Sequence, residues 1–258
     1  MNETKSPVHL EVRNDIAYLT LDSPPLNILT INLMDAITET LGKATADSTV
    51  KAVAFTANGK AFSAGADVDE HRPEKIQQMI SSFGRMFRAL SELEIPCVIA
   101  VNGPALGGGF ELAMMADILI ASEKATFGQP EIRLGFFAPV GVVVLPARVG
   151  PGRAMEITCS GRTYSAEDMH KFGLVSRVVP EEELEDALEK TLKDFRHASP
   201  LVMRINVRTM KGIYGGSHFG EALATAEKAF LEELMATEDV REGITSFFEK
   251  RKPVWKNR

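Results

Sequence analysis

Short apolar strands alternate with helix-like stretches along most of this chain, and that alternation leaves few architectures open. HLEVR and IAYLTL flank Asn14-Asp15, turn residues between β-branched and aromatic runs, and predict a hairpin. After SPPLNIL, Thr30 stands as an N-cap ahead of Leu33, Ile37, Leu41 and Ala44 at helical spacing. VKAVAFTA (50–57) reads as a strand, a helix falls within 73–92, and CVIAV (97–101) is the next strand. Another helix follows the glycines at 107–109, and strands lie around DILIAS and ATFGQ. Strand-helix alternation of this kind is the mark of an α/β domain. From about residue 181 the chain becomes nearly all helix-forming, in EEELEDALEKTLKDF and GEALATAEKAFLEELMA. Residues 206–217 are a mild loop candidate, and no low-complexity linker marks off an independent second domain. At 258 residues with 45% hydrophobic content, the chain can bury one large core.

A net charge of -6 with no basic stripe argues against a nucleic-acid partner, and the basic EKRKPVWKNR is short enough to be a solvated tail. Cys97 and Cys159 lack metal spacing and read as reduced thiols. MNETKSPVHLEV lacks the pattern of a signal peptide, and no stretch approaches about 18 uninterrupted apolar residues. A cytoplasmic protein that does not enter membranes is the expectation.

GPALGGGFELAMMADI (103–118) carries the first chemical signal. Three glycines cost roughly 1 kcal/mol each inside a helix, so they belong to its entry turn. There the first N–H groups lack intrahelical acceptors and the macrodipole adds positive charge, so an anion can approach. Glu111 follows Gly108 by three residues and lies on the same side. The alternative is that the glycines only allow close packing and Glu111 is a solvated first-turn carboxylate. Neither a G-x-G-x-x-G spacing nor a P-loop ending is present.

NGKAFSAGADVDE (58–70) leaves a strand through small residues, so a ligand could approach its backbone; an ordinary turn capped by Asp67 is the alternative. Ser63 lacks the G-x-S-x-G setting of an activated nucleophile. In FGQPEIRLG (127–135), Pro130 can open a helical turn presenting Glu131, which taken alone is a surface carboxylate. The five histidines show no paired spacing, so no metal site is expected.

Taken together, AFSAGADVDE, GPALGGGFELAMMADI and ATFGQPEIRLG, in this order, resemble the enoyl-CoA hydratase/isomerase (crotonase) family. SPPLNIL, GRTYSAEDMHKFGLVSRVVP and FFEKRKPVW extend the likeness over nearly the whole chain. The resemblance implies a right-handed spiral of ββα turns over 1–195 and a helical region over 196–258 that assembles trimers, often paired into hexamers. It implies an acyl-CoA substrate, with coenzyme A as part of that substrate and no separate cofactor. The N–H groups of Ala64 and Gly108 match the donors of an oxyanion hole. Glu111 and Glu131 match the two hydratase glutamates, Glu111 mainly as base and Glu131 as acid. Leu26, Ala64, Gly65, Ala66, Asp67 and Val68 match coenzyme A contacts, and Phe247 and Lys250 match positions that can reach coenzyme A on a neighbouring subunit. Isomerases of the family commonly keep only the glutamate matching Glu131, so Glu111 weighs against double-bond migration. A non-catalytic member binding CoA or RNA is the other alternative.

After this motif the chain departs from common hydratases, reading FFAPVGVVVLPARVG where they carry a glycine-rich run. Phe136, Phe137, Pro139 and Val140 are expected to line the acyl pocket. That segment resembles the cyclic dienoyl-CoA hydratases, which add water to cyclohexa-1,5-diene-1-carbonyl-CoA. Val142, Val143 and Val144 fit either altered specificity or a repacked helix start.

Overall fold

Two strands, β1 (Val8–Arg13) and β2 (Ile16–Leu21), form the expected hairpin in the computed structural model, which describes residues 6–214 and 216–258. Asn14 and Asp15 both take positive φ, 50° and 62°, the geometry a tight hairpin turn demands. The Thr30 hydroxyl accepts from Leu33 N–H at 3.2 Å and starts α1 (Ile31–Ala46). There follow β3 (Ala52–Ala57), α2 (Ile76–Ser91), β4 (Cys97–Val101), β5 (Ala105–Leu106), α3 (Gly108–Met114), β6 (Ile118–Ser122) and β7 (Thr126–Gly128). The chain continues through α4 (Pro139–Val149), α5 (Pro151–Ser160), β8 (Thr163–Ser165), α6 (Ala166–Lys171), β9 (Arg177–Val179) and α7 (Leu184–Phe195). It closes with α8 (Pro200–Tyr214), α9 (Gly216–Lys228) and α10 (Glu238–Phe248).

The strands form a six-stranded sheet in the order β1-β2-β3-β4-β6-β9 and a three-stranded sheet in the order β5-β7-β8. All pairs in the large sheet except β1–β2 are parallel. Successive turns each lay one strand in the large sheet and one short extended piece in the small one. Ser63 after β3 bridges Ala105 in β5, and β5 in turn pairs with β7 after β6. The result is a spiral of strand, strand and helix.

The central strands are apolar throughout because both faces of the sheet are covered. Val53, Phe55, Ile99 and Leu119 point into the main core with α1, α2 and α3. Their neighbours Ala52, Ala54, Val98 and Ile120 meet Leu184, Leu188 and Leu192 of α7 on the other face.

A single buried side chain fixes the loop that precedes the 64–67 backbone. Asn27, fully buried, donates to the carbonyls of Asn58 (2.7 Å) and Ala61 (3.0 Å) and accepts from Ser23 N–H (2.8 Å). Asn27→Ala would leave these groups unpaired, so a loss of about 3 kcal/mol is expected, read as a lower denaturant midpoint at unchanged slope.

The C-terminal helices differ from expectation in two places. Residues 206–214 belong to α8 rather than a loop. Met203 and Val207 are buried beneath it, Arg204 donates to the Val50 carbonyl (3.2 Å), and Lys211 donates to the Leu93 carbonyl (3.0 Å). The apolar pattern across 220–236 is not one helix: α9 ends at Lys228 and yields to a π turn (Ala229–Glu233) and a 3-10 turn. That interruption turns Phe230 inward, to 2% exposure. Finally, α10 rests on the 3-10 turn Pro130–Leu134: a Cβ on Gly243 would lie 2.5 Å from the Leu134 carbonyl carbon, so only glycine allows this approach. Among the described residues no helix is long and apolar enough to cross a membrane.

Candidate active site

Gly107 takes φ +51° and ψ -128°, and its N–H donates to the Gly128 carbonyl (2.9 Å), tying the glycine turn to β7. Gly108 then begins α3 with its N–H unused among the described residues, as the first helical position dictates. Across from it runs the 64–67 backbone. Here the expected donor changes. Ala64 N–H donates to the Leu26 carbonyl (2.9 Å), Gly65 N–H to the Ser63 hydroxyl (3.3 Å), and Asp67 N–H to the Leu29 carbonyl (3.4 Å). Only Ala66 N–H has no acceptor among the described residues. Gly65, at φ +106°, turns this N–H toward α3, where a Cβ on Gly108 would lie 3.4 Å from it. The free pair is therefore Ala66 and Gly108, because Ala64 is committed to holding its own loop. The motif alone could not separate these alternatives, since the difference lies in which N–H the local bridges consume.

Glu111, one turn into α3, is 2% exposed. Its Oε1 accepts from Val140 N–H (2.7 Å) and Gly141 N–H (2.9 Å), so the carboxylate caps the start of α4. Burial raises its pKa to about 7, while the two backbone donors oppose that rise. Glu131 sits in the 3-10 turn that Pro130 opens, and its Oε2 would lie 3.3 Å from a Cβ on Gly107. Burial pushes its carboxyl well above the usual range, and the neighbouring charge of Glu111 adds to the shift. Gln129, 1% exposed, reaches the same carboxyl; with its amide nitrogen turned toward it, it donates to both oxygens, at 3.2 Å for Oε2. Nothing in FGQPEIRLG marks Gln129 for this role.

Ala66, Gly108, Glu111 and Glu131 line one cavity of about 670 Å³. Ala64, Gly65, Ala66, Asp67 and Val68 form part of its wall, with the Gly107–Gly108 turn and both glutamates. Leu26 is exposed beside this wall, and its carbonyl accepts from Ala64 N–H. Phe136, Phe137 and Pro139 line the cavity. Val140 does not: it is buried in the core and contributes its N–H to Glu111. Val143 and Val144 lie on a separate cavity of about 580 Å³ between α4 and α8, and Val142 is exposed. The valine run therefore packs this helix and does not shape the space beside the glutamates. Phe247 lines the cavity of its own chain, whereas Lys250 is absent from the lining.

Among the lining residues that carry no signal in the sequence, Phe230 and His71 matter most to the shape and polarity of the wall. Phe230, brought in by the π turn, stacks on Phe136 at 5.8 Å and meets Phe137 edge-on at 5.5 Å. His71 packs its ring 4.6 Å from Phe136. Its Nδ1 meets the Asp67 carbonyl at 2.8 Å, which requires the proton on Nδ1 and leaves Nε2 a bare acceptor. Burial lowers its pKa, so the ring is neutral at neutral pH.

Two backbone donors without acceptors among the described residues, beside two buried carboxyls, make an arrangement that can stabilise negative charge and move protons. The sequence profile of the enoyl-CoA hydratase/isomerase family matches residues 11–258, and the chain belongs to that family. Its curated relatives include the cyclohexa-1,5-dienecarbonyl-CoA hydratase of Thauera aromatica, 36% identical over 100% of both chains. Mitochondrial enoyl-CoA hydratase of Pongo abelii is 35% identical over 95% of this chain and 84% of its own. Among solved structures, an enoyl-CoA hydratase from Mycobacterium avium subsp. paratuberculosis K-10 superposes with a TM-score of 0.86 at 26% identity, covering 97% of this chain and 99% of that one. The spiral is thus the crotonase fold.

Proposed function

We propose that this protein adds water across the α,β double bond of an unsaturated acyl-CoA thioester. The observation that carries the reading is the meeting of Ala66 N–H, Gly108 N–H, Glu111 and Glu131 on one cavity. In this reading the thioester oxygen lies between the two N–H groups. One such well-aimed donor to a developing oxyanion stabilises it by roughly 3 kcal/mol. Glu111 in its ionised form, which the two backbone donors favour against burial, takes the proton of a water as its oxygen bonds to the β carbon. The electron pair moves onto the carbonyl oxygen as an enolate. Glu131, the carboxyl whose proton Glu111's charge helps retain, then protonates the α carbon. Coenzyme A enters as part of the substrate, against Gly65 to Val68 and Phe247, and no other cofactor takes part.

The rings of Phe136, Phe137 and Phe230 favour a flat, ring-sized acyl group, and the relative from Thauera aromatica supports cyclohexa-1,5-diene-1-carbonyl-CoA as the substrate. Incubation with that thioester and, separately, with crotonyl-CoA tests both levels. A mass gain of one water is expected in each, with faster turnover of the cyclic thioester. Faster hydration of crotonyl-CoA would overturn the cyclic assignment alone. An unchanged mass with a shifted double bond would make the protein an isomerase and overturn hydration.

We also propose self-association into trimers through α8. Leu201, Val202, Ile205, Met210 and Ile213 leave an apolar stripe exposed there, and burying it against a second copy supports an oligomer. Light scattering on the purified protein is expected to give three or six chain masses.

A further inference from the structure

The aromatic wall of the cavity holds one polar atom that the proposed hydration does not use. His71 lines this space beside Phe136 and Phe230. Because Nδ1 is spent on the Asp67 carbonyl, the tautomer is fixed and Nε2 presents a lone pair with no partner among the described residues. Every apolar acyl group that fills this wall strips water from Nε2 and gives nothing back. An acyl group carrying an O–H in reach replaces that water with a hydrogen bond. We infer that His71 Nε2 accepts a hydrogen bond from a hydroxyl on the acyl group, so that the cavity binds a hydroxylated, ring-sized acyl thioester in preference to the form lacking the hydroxyl.

This deepens the acyl-CoA reading and rests on it. Sites built to pair a substrate hydroxyl discriminate against the analogue without it because a buried polar group is then left unpaired. Applied to a hydratase, the same preference favours the hydroxyacyl side of the reaction, so product leaves more slowly than substrate.

Benzoyl-CoA and its 2-, 3- and 4-hydroxy isomers test it, being flat, ring-sized and inert to addition or elimination. Titration calorimetry on the full-length protein is expected to show at least one hydroxy isomer binding about tenfold more tightly than benzoyl-CoA. The isomer that wins gives the position of the hydroxyl. In His71→Phe, which keeps a ring against Phe136, the preference should fall to within twofold, with the favoured hydroxy isomer binding more weakly and benzoyl-CoA, which no longer strips water from Nε2, binding more tightly. His71→Met gives a second variant without an acceptor and should behave the same way. A wild-type protein that binds all four alike, or a preference that survives both substitutions, would overturn the assignment while leaving the acyl-CoA reading intact. Failure of all four to bind the folded wild-type protein would sink that reading and this one with it.

Discussion

Glu131→Gln is expected to slow hydration by about 10³-fold, within the range that a positioned acid or base contributes. Glu111→Gln should cost a similar factor. The double variant should be little worse than either single one, because the two carboxyls act as a unit. Steady-state rates with crotonyl-CoA, alongside a thermal melt to establish folding, check all three. Rates within tenfold of wild type in both single variants would rule out the two-carboxyl mechanism. The pH behaviour follows from the same burial. Two adjoining carboxyls share one proton across the working range, so the rate profile should be bell-shaped, with apparent values that belong to the pair. Stability should also respond. Both folded-state values lie above the ordinary carboxyl value, so the folded protein holds protons that the unfolded chain has released. Stability therefore falls as pH rises from about 4.5 through about 7, as those protons leave the folded state. Glu111→Gln should flatten that decline in denaturation curves measured between pH 5 and 8.

The second large effect separates two adjacent glycines. A Cβ on Gly109 would lie 2.7 Å from Ser63 Cβ and 2.8 Å from the Ser63 carbonyl carbon, inside the bridge that joins successive turns of the spiral. Gly109→Ala must push α3 from the small sheet, and a loss above about 3 kcal/mol is expected, with poor soluble yield. A Cβ on Gly108 meets nothing closer than 3.3 Å, at the Leu29 side chain, but stands 3.4 Å from Ala66 N. Gly108→Ala should therefore fold, with a melting temperature within a few degrees of wild type, and lose at least 10²-fold in rate by crowding the space between the two donors. A normal melt with normal activity in Gly108→Ala would remove Gly108 from the oxyanion site. An unaffected melt in Gly109→Ala would contradict the packing described here.

Much of this architecture was legible because local signals and burial agreed. Asn14-Asp15, the Thr30 cap and the apolar runs at 52–57 and 97–101 each specify their element from neighbours in sequence. The pieces that stayed hidden depend on distant partners. β8 and β9 have three residues each, too few for periodicity, and exist because β7 and β6 offer edges to pair with. The helix break at 229 serves the cavity by turning Phe230 inward, and the apolar spacing of 220–236 gives no sign of it. In the site, the glycine turn and both glutamates stood out as motifs. The choice of Ala66 over Ala64 did not, because it turns on the carbonyl of Leu26. His71 carries no signal in the sequence, since only the packing of Phe136 and the Asp67 carbonyl give it a defined tautomer and a defined outlook.

The seat of Glu111 at the start of α4 gives this protein a native spectroscopic probe. The amide protons of Val140 and Gly141 lie along hydrogen bonds to Glu111 Oε1, so their nuclear magnetic resonance frequencies should follow its ionisation. Isotope labelling would let that charge be followed through a pH titration, or on addition of a thioester, with every side chain left as it is.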